Sequence, residues 1–371
     1  MLIRPIKYRD LETVRKLYDA SSSLAVFPEL GVCLPTQGIH RLYGPLKLLS
    51  VFPNPLQHSF DLHVAQMEGQ VVGFVQVRPS NARQSTWKVE DIAVLPALQG
   101  QGIGTRLLRH VFEYYRQGRN WIVEVNIHNR SALALYRQNG FQPLAKHCYW
   151  RLSPGLLSEL ARTDVVQSAN FLPVSNADAA LLCHLNDATT PGEVRQIYSY
   201  QPTDFYQTFP QRFVNLAMET VQQVLHVRQY VYESHRQVAI GSLDLWVSKN
   251  GLQPHRAHLV AHSGYTWLYP QLAAQVARIL QNYPPQDLHL VSADYEAKFE
   301  EFLEQNLAAE VLERKLLMSR SVWHKVPEVR KLLESLQLPE MLPGFSLGKP
   351  LPEPIQRHET NQDPPSSNWP L

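Results

Sequence analysis

Gln99-Gly100-Gln101-Gly102-Ile103-Gly104 follows directly on the β-rich run Trp87 to Leu95 and Pro96, and precedes Leu107, Leu108, Val111, Phe112 and Tyr115 at helical spacing. The order is strand, glycine loop, helix. Free N–H groups and the positive end of the helix dipole converge at such a junction, which suits a phosphate-bearing ligand. Gly102 and Gly104 leave room for close backbone approach. A dinucleotide fingerprint needs a third glycine where Leu107 stands, and a Walker A loop needs a Gly-Lys-Ser/Thr that does not follow. Both readings fail.

Upstream, Leu2 to Ile6 alternates as a short strand and Asp10 to Ala20 has helical spacing. Leu62 to Gln66 and Val71 to Val77 flank Met67-Glu68-Gly69-Gln70, which reads as a hairpin. Downstream, Trp121 to Ile127 is a strand and Ala132 to Gln138 a helix ended by Asn139-Gly140, with a further strand from Phe141. Asn129, Ala132, Leu135, Tyr136, Gly140 and Phe141 complete the pattern N-x-x-A-x-x-L-Y-x-x-x-G-F.

With the loop Q/R-x-x-G-x-G/A, here Gln99 to Gly104, this second motif resembles the GCN5-related N-acetyltransferases, the GNAT superfamily. The resemblance is close over about residues 1 to 152. It implies an α+β fold: a mixed, mostly antiparallel twisted sheet with helices on both faces. Two parallel strands, here Glu90 to Leu95 and Trp121 to Asn126, are then expected to splay apart and admit the pantetheine arm of acetyl-CoA as co-substrate. The cofactor-binding set it implies is Ile92, Ala93, Val94, Gln99, Gly100, Gln101, Gly102, Ile103, Gly104, Thr105 and Asn129, with Gly100 to Thr105 on the pyrophosphate. Asn129 could instead be a plain helix N-cap. The resemblance makes Tyr136 the general acid that protonates the departing thiolate, a core-packed ring being the alternative. Glu124, twelve residues before Tyr136, has the spacing of the base in protein N-terminal alanine acetyltransferases. Alternation along Val123-Glu124-Val125-Asn126 could turn it to solvent, leaving Glu90 or Asp91 as base, or no protein base.

A second unit looks like a worn copy. At one constant separation, Leu288 overlies Ile122, Leu307 overlies Phe141 and His258 to Val260 overlies Ile92 to Val94, with no gap. Tyr265, Leu268 and Pro270 then replace Gln99, Gly102 and Gly104, and Phe302 replaces Tyr136. The expected domains are a catalytic unit at 1–155, a linker at 156–169, a degenerate copy at 170–326 and a tail at 327–371. From Pro339 the last 33 residues hold 8 prolines, too few apolar groups to fold alone.

Among 371 residues, 35 Lys+Arg against 33 Asp+Glu form no polybasic surface, so no nucleic-acid partner is expected. Three cysteines without C-x-x-C spacing fit a reducing compartment and small apolar packing. No apolar run is long enough for a membrane span, and a cytoplasmic enzyme is expected. His255, His258 and His262 have metal spacing only on a helix; on a strand they read as surface histidines, so no metal is expected. Trp87 and Trp121 read as core. The favoured acceptor amine is a protein N-terminus. A small amine metabolite, or a non-catalytic acyl-CoA-binding protein, is the alternative.

Overall fold

Trp87 and Trp121 begin neighbouring strands, are wholly buried, and stack with ring centroids 6.0 Å apart. They anchor the sheet from which the chain is built. The structure, a computed structural model, describes residues 1–21, 61–162, 169–207 and 223–322. Cys33, the end of the expected linker and the proline-rich tail lie outside these residues.

The first half runs β1 (Leu2–Pro5), α1 (Leu11–Ser21), β2 (Leu62–Met67), β3 (Gln70–Pro79), β4 (Thr86–Val94), α2 (Ile103–Tyr114), β5 (Asn120–Asn126), α3 (Arg130–Gln138) and β6 (Gln142–Leu152). Glu68 and Gly69, both at positive φ, close the β2–β3 hairpin as expected. After α4 (Pro154–Arg162) the second half repeats the order of the described elements with one helix more: β7 (Phe171–Pro173), α5 (Ala179–Thr189), α6 (Gly192–Tyr198), β8 (Val224–Glu233), β9 (Val238–Ser248), β10 (His255–Ala261), α7 (Leu268–Leu280), β11 (Leu288–Ala293), α8 (Ala297–Glu301) and β12 (Glu310–Ser321). Much of the expected linker is therefore helix. Leu157 of α4 is buried in the second-half core, which gives the segment a reason to fold.

All twelve strands join one sheet, in the order β1-β2-β3-β4-β5-β12-β6-β11-β10-β9-β8-β7. The last strand of each half has crossed into the other. β12 lies between β5 and β6, with Lys315 opposite Asn126 and His147, while β6 pairs with β11 from Leu152↔Leu288 to His147↔Ala293. On one face α2 buries Ile103, Leu107, Leu108, Val111 and Phe112 against Val89, Trp121 and Val123. α7 does the same against Leu243, Leu259 and Leu290. The opposite face carries α1 over Val64, Phe74 and Ala93, and α6 over Ile122, Ala145 and Leu317. A hydrogen-bond clasp fixes α6 there: Thr86 Oγ1 and Asn120 Nδ2 donate to Ile197 O at 2.6 and 3.1 Å. Asn81 Nδ2 donates to Tyr198 O at 2.9 Å.

The gapless overlay of the halves needs a correction. Leu288 packs in the core beside Leu290, as Trp121 and Val123 do, whereas Ile122 lies on the other face. Likewise Ile92 packs on the α2 side while Leu259, not His258, packs on the α7 side. The strands are one residue out of step, and a one-residue slip exchanges faces. The separation also changes along the chain, in part through a bulge in β4, where Val77 pairs with Val89 and Gln76 with Asp91, leaving Glu90 extra; β10 has none. His255 is also not a surface group: it is buried, its Nδ1 accepts from Ser248 N at 3.1 Å and its Nε2 faces Pro284 O at 3.2 Å.

Candidate active site

The β4–β5 ladder runs from Thr86↔Asn120 to Val89↔Val123 and stops, although the strands continue to Val94 and Asn126. The two strands splay where expected. Beyond β4 the chain turns through Gly100 and Gly102, at φ +80° and +77°, and a Cβ on either would meet nothing within 4 Å. Left-handed backbone costs an L-residue about 1–2 kcal/mol, which accounts for the glycines. Gly102 caps α2 without a side chain, and Arg106 N is the helix amide that bonds back to Gly102 O at 3.0 Å. The preceding amides of the first turn have no carbonyl to reach within the helix. The loop and open splay fit a pyrophosphate and its extended arm.

The second half splays too, since the β10–β11 ladder ends at Ala257↔Leu290. Its loop is different. Six residues separate β10 from α7 where eight separate β4 from α2. Counted from the helix start, Trp267 and Tyr269 stand in place of Gly102 and Gly104, not Leu268 and Pro270 as the gapless overlay has it. Phe302 does stand for Tyr136: Leu307 N bonds Phe302 O at 3.2 Å as Phe141 N bonds Tyr136 O at 3.0 Å.

Asn129 Oδ1 accepts from Ala132 N at 3.0 Å and from Ser131 Oγ at 2.9 Å, so the side chain caps α3. Tyr136, on the buried side of α3, packs edge-on to Phe141. Burial and the nearby Asp91 carboxyl raise its phenol above the ordinary value, keeping it protonated.

Glu124 does not face solvent; its side chain is 8% exposed. His147 Nδ1 lies 2.6 Å from Oε1, and Oε2 receives the Tyr149 hydroxyl at 3.0 Å and the Lys88 ammonium at 3.3 Å. Burial pushes the carboxyl up, but Lys88, the His147 hydrogen bond and Lys315 together hold it well below its usual range. Glu90 is ion-paired to Arg78. Asp91, turned by the bulge onto the face of Glu124, is pushed by burial up to about 6 against the opposing pull of Lys315 and Lys88.

Sequence reasoning missed Lys88, His147, Tyr149, Glu313 and Lys315. A signal existed for Lys88, which stands between Trp87 and Val89 as Glu124 stands between Val123 and Val125; Lys315 follows Glu313 and Arg314 and is not set apart in this way. Lys315 Nζ lies 4.6 Å from the Tyr149 ring centroid and 2.9 Å from Glu313 Oε1. Among the described residues no three His, Cys, Asp or Glu side chains group to hold a metal.

Residues 58–143 match the family profile described as an acetyltransferase (GNAT) domain. These residues form a GNAT domain. The domain is 40% identical over 91 residues to "N-alpha-acetyltransferase RimI" of Mycobacterium tuberculosis, covering 24% of this chain and 57% of that protein. It is 36% identical over 77 residues to "Streptothricin acetyltransferase" of Streptomyces lavendulae, covering 20% and 40%. The chain thus spans about half the length of the curated relatives it matches. Two solved structures share the fold over 88% of this chain. One is a GCN5-related N-acetyltransferase from Sphaerobacter thermophilus, with TM-score 0.53, 13% identity and 96% of its own chain covered. The other is a tandem GNAT protein from the clavulanic acid biosynthesis pathway, with TM-score 0.52, 12% identity and 99% covered. Among the described residues no helix is long and apolar enough to cross a membrane.

Proposed function

We propose that the first half transfers an acetyl group from acetyl-CoA to a primary amine, with a protein N-terminus as the favoured acceptor. The observation that carries this reading is the splay between β4 and β5 leading into a loop with two left-handed glycines, a combination the second half lacks. Residues 1–155 are then the catalytic domain and residues 170–326 a degenerate copy that lends strand β12 and helix α6.

The amine nitrogen attacks the thioester carbonyl, a base takes its proton, the carbon–sulfur bond breaks, and the thiolate takes a proton from Tyr136. Asp91 is the better base. Its carboxyl at about 6 is ionised at neutral pH yet basic enough to accept a proton, whereas Glu124 is held low by three partners. In this reading Glu124 organises the floor of the acceptor site. Ile92 to Val94 and Gln99 to Thr105 line the path of the co-substrate.

The spacing of Glu124 and Tyr136 and the name of the Mycobacterium tuberculosis relative support a protein N-terminus. The Streptomyces lavendulae relative favours a small amine as second reading. The retained loop and Tyr136 weigh against a non-catalytic acyl-CoA module. Buried free Cys148 and Cys183 agree with work in the reducing cytoplasm. The test is thiol release from acetyl-CoA in the presence of N-terminal peptides and polyamines. Tight acetyl-CoA binding without transfer to any member would replace the enzyme by a binding module.

A further inference from the structure

β12 belongs by chain order to the second half, yet its face between Glu313 and Leu317 lies over the candidate site of the first. Lys315 sits opposite both Asn126 of β5 and His147 of β6. Its ammonium covers the ring of Tyr149, whose hydroxyl donates to Glu124 at 3.0 Å. Glu313 holds it at 2.9 Å through Oε1, and Oε2 accepts from Asn126 Nδ2 at 3.4 Å. These side chains are only 15% and 10% exposed. Burying such a pair costs several kcal/mol of desolvation per ion, while apolar residues would pack there at no such cost. The first-half strands therefore carry charges whose counter-charges come from the other end of the chain.

We propose that the acceptor site is a composite of both halves, in which Lys315, anchored by Glu313 on the exchanged strand, is a positioning residue that holds the Asp91 and Glu124 carboxylates ready for the incoming amine. This rests on the acetyltransferase reading above. It gives the degenerate half a task that its lost glycine loop does not touch. It also accounts for the exchange at this site, since without β12 the two carboxylates keep Lys88 alone among the lysines of the cluster.

Lys315 on β12 and Lys88 on its own strand pull Asp91 down against its burial, and the Asp91 carboxyl in turn raises Tyr136 on α3. The other charged and titratable groups of the cluster are Glu124 on β5, His147 and Tyr149 on β6, Glu313 on β12 and the Arg78–Glu90 pair bridging β3 and β4. Removing the lysine charge raises the titration midpoint of Asp91. Removing the glutamate charge frees the lysine and lowers it.

The experiment uses the full-length protein with 13C-labelled aspartate, the Asp91 carboxyl resonance being identified by its loss in Asp91→Asn. Lys315→Met should move the midpoint up by about one pH unit and Glu313→Gln should move it down, while Lys315→Arg restores it. With an acceptor found, the acid limb of kcat/KM should follow the same three shifts, and the acetyl-CoA Kd should not change. Midpoints that stay together in Glu313→Gln and Lys315→Arg overturn the proposal, even if Lys315→Met does not fold. A wild type that transfers no acetyl group but shows the opposed shifts upholds the composite site and refutes the acetyltransferase reading alone.

Discussion

His110 Nε2 lies 3.1 Å from His63 Nδ1, and His63 Nε2 lies 3.1 Å from the Tyr115 hydroxyl. Burial, then the neighbouring His110, lowers the His63 imidazole to about 4. The unfolded chain takes up this proton near 6.5, so from there down to about 4 it binds more protons than the native state, and stability falls with pH. The loss is about 3 kcal/mol at the lower end. Urea unfolding of wild type and His63→Gln between pH 4 and 7 should show the variant losing markedly less on acidification. Parallel curves would remove His63 as the cause.

Gly102→Glu sets a side chain and a negative charge at φ +77°, where the pyrophosphate is expected. Acetyl-CoA affinity should fall more than about tenfold, or 1.4 kcal/mol, with Gly102→Ala losing less. Calorimetry on the wild type should give one site per chain, because Trp267 and Tyr269 fill the corresponding turn of the second half. Two equal sites would contradict the account of that turn.

Tyr136→Phe keeps the ring against Phe141 and deletes the proton donor. Turnover should drop about 10²-fold while acetyl-CoA affinity holds. Undiminished turnover would leave Tyr136 as a packing residue.

Asp91→Asn and Glu124→Gln should separate. The first removes a carboxylate whose burial disfavours its charge, so it should abolish most turnover and leave stability intact or improved. The second strips the buried Lys88 of its counter-charge and should cost about 3–5 kcal/mol. Denaturant midpoints beside turnover decide the matter: a stable, inactive Glu124→Gln protein would return the base to Glu124.

A chain ended after Gly155 lacks β12 and α6, exposing one edge of β5 together with Ile122 and Ala145. It should aggregate or stay insoluble. A soluble monomer with a cooperative melting transition would show that the first half can close its own sheet.

Motif-bearing parts of the fold were legible because their chemistry is local. Gly100 and Gly102 need only their own φ, and the Glu68-Gly69 hairpin follows from two neighbouring residues. The exchange of β6 and β12 left no such trace, because the alternation of Leu317 with Met318 reads the same whichever strand lies alongside. The internal repeat was legible as a pattern but not in register, since the Glu90 bulge and a second loop two residues shorter vary the separation of the halves, which a gapless overlay cannot absorb. At the site, Tyr136 and Glu124 could be picked out singly. Of their surroundings only Lys88 left a local mark, for Lys315 reaches Tyr149 only after nearly the whole described chain has folded.

The crossing of β12 has a consequence for biosynthesis. Asn126 and Glu313, bonded across β5 and β12, are 187 residues apart in the chain. At 5–20 residues per second, a ribosome that has finished β5 needs roughly 10–40 s more to deliver its partner strand. For that interval the nascent first half carries its glycine loop and its buried-to-be charges without the strand that seals them, and one edge of β5 stays unpaired.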